Sequence, residues 1–170
     1  LSLKGEGNFL IVIGKSNNHL GNSKYMTIMR SKEEGGTPKI DLNEELKNGK
    51  FVLEVINNKL VESSHDVGEG GILVALTEMC MAGDLGITID IVKDFPHGFY
   101  FGEDQSRYLL EIKEKNYDQI KYVANSYNVF FEKLGIIGGD RIKIKNVGEK
   151  KVSELRDNFE LGVGAITFNE

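Results

Sequence analysis

The chain has 170 residues, 40% of them hydrophobic and 28% charged, enough for one globular core and unlike a disordered tail, a collagen or a coiled coil. Its 21 basic and 26 acidic residues leave a formal net charge of −5, whereas a general nucleic-acid binder needs a basic face to release counterions. No apolar run approaches the roughly 18–20 residues of a membrane span, and the single cysteine, Cys80, has no internal partner, which excludes a disulfide scaffold and fits a reducing cytoplasm.

The chain opens at Leu1 without a methionine, a basic segment or an apolar signal segment, so it is expected to be cut from something longer. Phe9–Ile13 is continuously apolar between Gly7 and Gly14, the pattern of a strand buried on both faces. Residues 14–36 are polar and punctuated by glycine, with a short apolar patch at Tyr25–Met29. Asp41 or Asn43 can cap a helix running through Leu46, with a weak point at Asn48-Gly49 and a resumption over Phe51–Lys59. Val61–Val67 reads as a strand ending in Gly68-Glu-Gly-Gly71. Ile72–Ala82 carries Ile72, Leu73, Leu76, Met79 and Cys80 on one helical stripe, which Gly83 stops.

Leu85, Ile87, Ile89 and Ile91 alternate with small or polar residues, as a half-buried strand requires. Arg107–Lys113 is a further strand, and Tyr117–Tyr127 a helix opened by Asn116. Val129–Phe131 and Ile142–Lys145 read as strands flanking a turn at Gly138-Gly139-Asp140, and Val152–Phe159 as a last helix. Strands and helices alternate with hairpin signals mixed in, so one domain over residues 1–170 with a mixed sheet covered by helices is the economical fold.

The strongest chemical constellation is His65-Asp66-Val67-Gly68-Glu69-Gly70-Gly71, between a strand and an apolar helix. Glycines there let backbone N–H groups converge where the helix dipole favours an anion such as phosphate, and Asp66 could hold Mg²⁺ against it. The alternative is a tight turn in which Asp66 caps the helix and the glycines only permit packing. The loop lacks the Gly-Lys-Ser/Thr of a Walker A motif, and Leu73 stands where a dinucleotide fingerprint needs its third glycine. A second run, Gly102-Glu-Asp-Gln-Ser-Arg107, offers Glu103 and Gln105 for hydrogen bonds to a polar ligand and Arg107 as a positive charge; a solvated turn with a surface arginine fits as well. Leu20-Gly-Asn-Ser23 offers a hydroxyl and an amide. His19, His65 and His97 lie in separate segments without metal-ligand spacing, and Cys80, on the apolar stripe, reads as a small buried hydrophobe.

Three segments in this order resemble one family: Ile13-Gly14 with Leu20-Gly-Asn-Ser-Lys-Tyr25, then His65-Asp-Val-Gly-Glu-Gly-Gly-Ile-Leu-Val-Ala-Leu-Thr-Glu-Met79, then Gly102-Glu-Asp-Gln-Ser-Arg-Tyr-Leu-Leu-Glu-Ile112. They are similar to the carboxy-terminal domain of phosphoribosylformylglycinamidine synthase, and Leu134-Gly-Ile-Ile-Gly-Gly-Asp140 resembles a late strand–turn–strand of that domain. A His-Asp-x-x-x-Gly-Gly segment alone would indicate only the wider superfamily of aminoimidazole ribonucleotide synthetase, thiamine-monophosphate kinase and selenophosphate synthetase.

The resemblance implies an α+β domain of three layers, α/β/α, with a mixed sheet. It implies the last, B2, domain of an A1-B1-A2-B2 synthase, the other A and B domains and a glutaminase domain or subunit being its partners. The parent enzyme is an ATP-dependent ligase of purine biosynthesis that uses Mg²⁺ and ATP, releasing ADP. Asp66 matches a magnesium aspartate of the B1 copy, and Glu103-Asp104-Gln105 a Glu-Ser-Gln that contacts substrate there. In this copy they would belong to an auxiliary nucleotide site formed with Gly68, Gly70 and Gly71, with no residue catalytic and the isolated chain inactive. The sequence departs from the pattern at Gly68 and Glu69, where small or acidic residues such as Ser and Asp are expected. Asp104 for Ser adds negative charge beside a phosphate. The expected setting is cytoplasmic, without nucleic acid or membrane, and exposed apolar surface would favour a homodimer of the isolated chain. The alternative is a stand-alone, non-enzymatic module that binds a nucleotide or a partner protein.

Overall fold

The computed structural model describes residues 1–31 and 34–167, of residues 163–167 only the helical backbone. In chain order the elements are β1 (Phe9–Ile13), α1 (Lys24–Arg30), α2 (Leu42–Asn57), β2 (Val61–Asp66), α3 (Gly71–Gly83), β3 (Ile87–Ile89), α4 (Pro96–Phe101) and β4 (Tyr108–Ile112). A 3-10 turn at Glu114–Asn116 leads into α5 (Tyr117–Ser126), followed by β5 (Phe131–Ile137), β6 (Arg141–Ile144), β7 (Gly148–Lys151) and α6 (Val152–Thr167).

The strands form one seven-stranded sheet in the order β2-β4-β1-β5-β3-β6-β7. The β3–β6 pair is parallel and the other five pairs are antiparallel, so the sheet is mixed as expected. All five residues of β1 are buried, because it lies inside the sheet with helices on both faces. Phe9, Ile11 and Ile13 enter a core with Phe51, Val52 and Val55 of α2 and Ile120 and Ala124 of α5. Leu10 and Val12 enter the opposite core with Ile72, Leu76 and Met79 of α3, Tyr100 of α4 and Val152 of α6. That is the three-layer α/β/α arrangement. Each such Leu or Ile side chain contributes about 1.5–3 kcal/mol on full burial.

Several elements differ from the sequence reading for identifiable reasons. The helix expected to break at Asn48-Gly49 is continuous, since Asn48 is buried and its amide donates to Ser106 O (2.9 Å) and Ser106 Oγ (3.0 Å). The strand expected at Val129–Phe131 runs instead over Phe131–Ile137, because Val129 closes the turn after α5 through its N–H to Ala124 O. The Leu85–Ile91 alternation yields only the short ladder Ile87–Ile89. The turn of helix α4, with Pro96 in its first turn, and the edge strand β7 carry no periodicity long enough to announce them.

One buried carboxylate ties the amino-terminal arm to the sheet. Glu111, fully buried on β4, accepts from Lys4 N (2.8 Å), Gly5 N (2.9 Å), Asn8 Nδ2 (2.7 Å) and Ser63 Oγ (2.8 Å). Four donors on one carboxylate answer the desolvation that burial imposes. No helix among the described residues is long and apolar enough to cross a membrane.

Candidate functional site

The glycine loop and the 102–107 loop meet where α3 begins. Gly70 occupies the N-cap of α3 with φ +81° and makes no side-chain cap, so Asp66 does not cap this helix. Gly71, at φ +73°, is pressed against the end of α4: an added Cβ would lie 2.6 Å from Gly102 O and 2.8 Å from Tyr100 O. Only glycine meets both demands. Gly68, by contrast, is exposed, and a Cβ there would meet nothing within 4 Å.

Glu103 reaches across this junction. Its Oε1 accepts from Gly70 N (2.9 Å) and from Lys24 N at the start of α1 (2.8 Å). A carboxylate of the chain itself thus sits on an N–H of the glycine loop and joins the starts of two helices. Lys24 Nζ pairs with Glu69 at 3.1 Å, both well exposed. Gln105 projects into solvent, its amide bonding weakly to Glu103 O at 3.4 Å.

Asp104 and Arg107 turn the other way. Asp104 is buried, and its Oδ2 accepts from Asn17 N (3.0 Å), Ser16 Oγ (3.4 Å) and His19 N (3.4 Å), fixing the loop after β1. The added negative charge noted in the sequence is therefore matched by loop donors. Arg107 is 1% exposed and donates to Asp104 O (3.0 Å), Gly102 O and Ser16 Oγ (3.4 Å). Burial pushes its pKa down, opposed by the carboxylates of Asp104 and Glu103. It is a buried clamp on its own loop, neither a surface arginine nor a cation facing a ligand.

The geometry gathers Gly68, Glu103 and Gln105 with Asn22 and Glu69 along one cleft of about 480 Å³, beneath which Gly70 and Gly71 are buried. Asp66 lies outside that cleft, its side chain 82% exposed and its Oδ1 3.3 Å from His65 Nδ1. His65 also meets Glu78 Oε2 at 2.9 Å. Among the described residues no group of three or more His, Cys, Asp or Glu could hold a metal ion. Asp66 supplies a single, largely exposed carboxylate beside His65, too few ligands to hold a resident ion.

Ser23 offers no free hydroxyl, for it is buried as the N-cap of α1, donating to Leu20 O (2.6 Å) and accepting from Met26 N (3.3 Å). Cys80 is buried as expected, its pKa pushed up to about 12 by desolvation. Lys24 entered the sequence reading only within the Leu20–Tyr25 segment of the family resemblance and Asn48 only as the weak point of a helix, and neither was given a functional part.

Residues 5–145 match the family described as AIR synthase related protein, C-terminal domain. The chain is 37% identical over 162 residues to phosphoribosylformylglycinamidine synthase subunit PurL of Azorhizobium caulinodans, covering 94% of the chain and 22% of that relative. It thus spans about a fifth of the length of the curated relative. Phosphoribosylformylglycinamidine synthase II of Thermotoga maritima superposes with a TM-score of 0.72 at 20% identity, over 91% of this chain and 26% of that one. A structure described as T. maritima PurL complexed with ATP superposes at 0.70, also at 20% identity, over 91% of this chain and 26% of that one. These likenesses establish the fold, and the resemblance to the carboxy-terminal domain of the synthase is borne out. The chain belongs to the AIR synthase related proteins, as a member of their C-terminal domain family.

Proposed function

We propose that this chain is the B2 domain of a phosphoribosylformylglycinamidine synthase and forms one wall of an auxiliary nucleotide site. The observation that carries the reading is the 37% identity to a synthase subunit across 94% of the chain. The parent reaction joins formylglycinamide ribonucleotide, ATP, glutamine and water to give formylglycinamidine ribonucleotide, ADP, phosphate and glutamate. The remaining A and B domains and a glutaminase domain or subunit would hold the reacting groups.

In this chain Gly68, Gly70, Gly71, Glu103 and Gln105 would shape the nucleotide wall. Asp66 would add one ligand to Mg²⁺ carried by ATP or ADP, and no residue here is assigned to catalysis. A scaffold role is supported by how the polar groups are used: Glu103 bonds to two helix starts, Asp104 to the loop after β1, and Arg107 to its own loop.

Two measurements test this. The purified chain, given formylglycinamide ribonucleotide, Mg²⁺-ATP and ammonium chloride, should release no ADP; turnover would overturn the scaffold reading. An antibody raised against the chain should detect, in lysate of the source cells, a polypeptide several-fold heavier than 19.0 kDa. A band at the chain's own mass would favour a free-standing binding module instead.

A further inference from the structure

We propose that the open half of one sheet face, over β5, β3, β6 and β7, docks an acidic helix from the rest of the parent polypeptide. The inference rests on reading this chain as one domain of a longer synthase. The three-layer arrangement is complete on one side only. Ile87 and Ile89 of β3 and Ile142 and Ile144 of β6 point into the core shared with α3, α4 and α6. On the other side α2 and α5 cover β1 and β4 and reach as far as Phe131 of β5; among the described residues that core takes nothing from β3, β6 or β7. The strand register says what is left bare. Thr88 lies opposite Ile136 on one neighbour and Lys143 on the other, Lys143 lies opposite Glu149, and Arg141 opposite Lys151. Since the flanking isoleucines face the core, these side chains face away from it. Thr88, Lys143 and Glu149 are exposed, and Ile136, in the middle of a sheet, is 46% exposed.

Charge identifies the occupant. The chain as a whole is acidic, at −5, yet this face carries Arg141, Lys143, Lys151 and, next in the alternation, the exposed Lys145. Its carboxylates are Glu149, paired with Arg141 at 3.0 Å, and Asp90, which shares a shallow concavity of about 600 Å³ with Thr88, Lys143 and Lys145. Lys143, Lys145 and Lys151 make no ion pair among the described residues. Three unpaired ammonium groups beside an exposed isoleucine are complementary to a surface that is apolar at its centre and acidic at its rim. Four strands span about 14 Å, room for one helix about 10 Å across. An amphipathic helix laid there completes the layer begun by α2 and α5, buries Ile136 and sets its carboxylates against the lysines. Single-stranded nucleic acid fits less well, because none of these side chains is aromatic and bases have nothing to stack on. The parent polypeptide is the source argued for, since this chain spans only 22% of its curated relative.

The test is cross-linking of the parent polypeptide with a carbodiimide, which joins an amine to a carboxylate only where the two touch, followed by peptide mass spectrometry. Lys143, Lys145 and Lys151 should be joined to Asp or Glu residues of the same polypeptide that lie outside this chain. Lys143→Glu/Lys145→Glu, altered only at exposed positions, should abolish the cross-link at Lys151. It should also speed amide hydrogen exchange in β6 and β7 by at least about tenfold, the worth of one charged hydrogen bond. Lys143→Arg/Lys145→Arg keeps the charge and should exchange as the unsubstituted polypeptide does, which separates lost docking from a damaged sheet. The inference is overturned if the three lysines are joined only within this chain, only to another polypeptide or to nothing, or if charge reversal leaves the exchange unchanged. Either result, obtained on a polypeptide several-fold heavier than 19.0 kDa, leaves the synthase-domain reading standing. A source-cell polypeptide of the chain's own mass overturns both. Binding of a fluorescein-labelled single-stranded RNA to the chain at physiological ionic strength, lost on charge reversal, would assign the face to nucleic acid and overturn the helix.

Discussion

The two loops that meet at the start of α3 look alike in sequence, each glycine-bearing and acidic and each adjoining a strand, yet they are built in opposite ways. In the 102–107 loop the charged side chains turn inward: Asp104 and Arg107 are buried and bonded, and Glu103 closes the starts of α1 and α3. In the segment that ends β2 and follows it the charged side chains turn outward, with Asp66 82% exposed and Glu69 71% exposed, while Val67, Gly70 and Gly71 are buried. Polar composition marks both as candidate sites. Burial separates scaffold from available surface, because a charge taken out of water must be met by donors or acceptors from its own fold.

The sharpest way to break this contrast is at Arg107. Arg107→Ala removes three hydrogen bonds and leaves the acceptors Asp104 O, Gly102 O and Ser16 Oγ without this donor, at about 1–3 kcal/mol for each buried acceptor left unpaired. Urea unfolding should show that loss. A change below about 1 kcal/mol would mean the guanidinium contributes no more than an exposed one.

Next in size is Gly71→Ala, which combines a left-handed backbone with contacts of 2.6 Å and 2.8 Å to α4, at about 2–3 kcal/mol. The same change at Gly68, three residues earlier, meets open space and should stay within about 0.5 kcal/mol. Equal effects at the two glycines would erase the distinction between the buried and the open part of that loop.

Alkaline pH probes the core beneath both loops, through Cys80 on α3 and Tyr100 on α4. Desolvation pushes the Cys80 thiol from 9.0 up to about 12, and desolvation together with the Glu132 charge pushes Tyr100 from 10.0 up to about 12. In both cases the fold retains the proton while the unfolded chain releases it. The stability they contribute is therefore fully present below about pH 9 and is lost as pH rises toward 12. The melting temperature should be flat with respect to these groups until pH 9 and then fall. In Cys80→Ala the onset should move to about pH 10, where Tyr100 begins to act together with Tyr108 and Tyr127, whose pKa values are also raised.

How far the sequence reached follows the same division. β1 was legible because five consecutive apolar residues admit little but a strand buried on both faces, and the start and end of α3 were legible from glycines with positional meaning. The continuity of α2 was not, since what holds Asn48 in place is Ser106, 58 residues away in sequence. β5 starts two residues and ends six residues later than expected because Leu134-Gly-Ile-Ile137 shows no clean alternation where the ladder shifts register. At the site, the glycines could be read but the direction of the charges could not. Whether Arg107 faces water or its own carbonyls is decided by packing between distant segments, which leaves no local periodicity.

The smallest stability effect is expected at Asp66, and there the contrast turns into a statement about function. Its carboxylate is largely solvated and its hydrogen-bond contact among the described residues is with His65, so Asp66→Asn should change the unfolding free energy by less than about 0.5 kcal/mol. A ligand to nucleotide-borne Mg²⁺ behaves differently, because the amide keeps the shape but loses the negative charge that a hard cation requires. In the parent polypeptide, Asp66→Asn should weaken ADP binding in the presence of Mg²⁺ while binding without the metal stays the same, as read by calorimetry in paired titrations. If both titrations are unchanged, Asp66 is merely an exposed end of β2. If the melting temperature falls instead, its contact with His65 stabilises the sheet edge, and the outward loop is more structural than its exposure indicates.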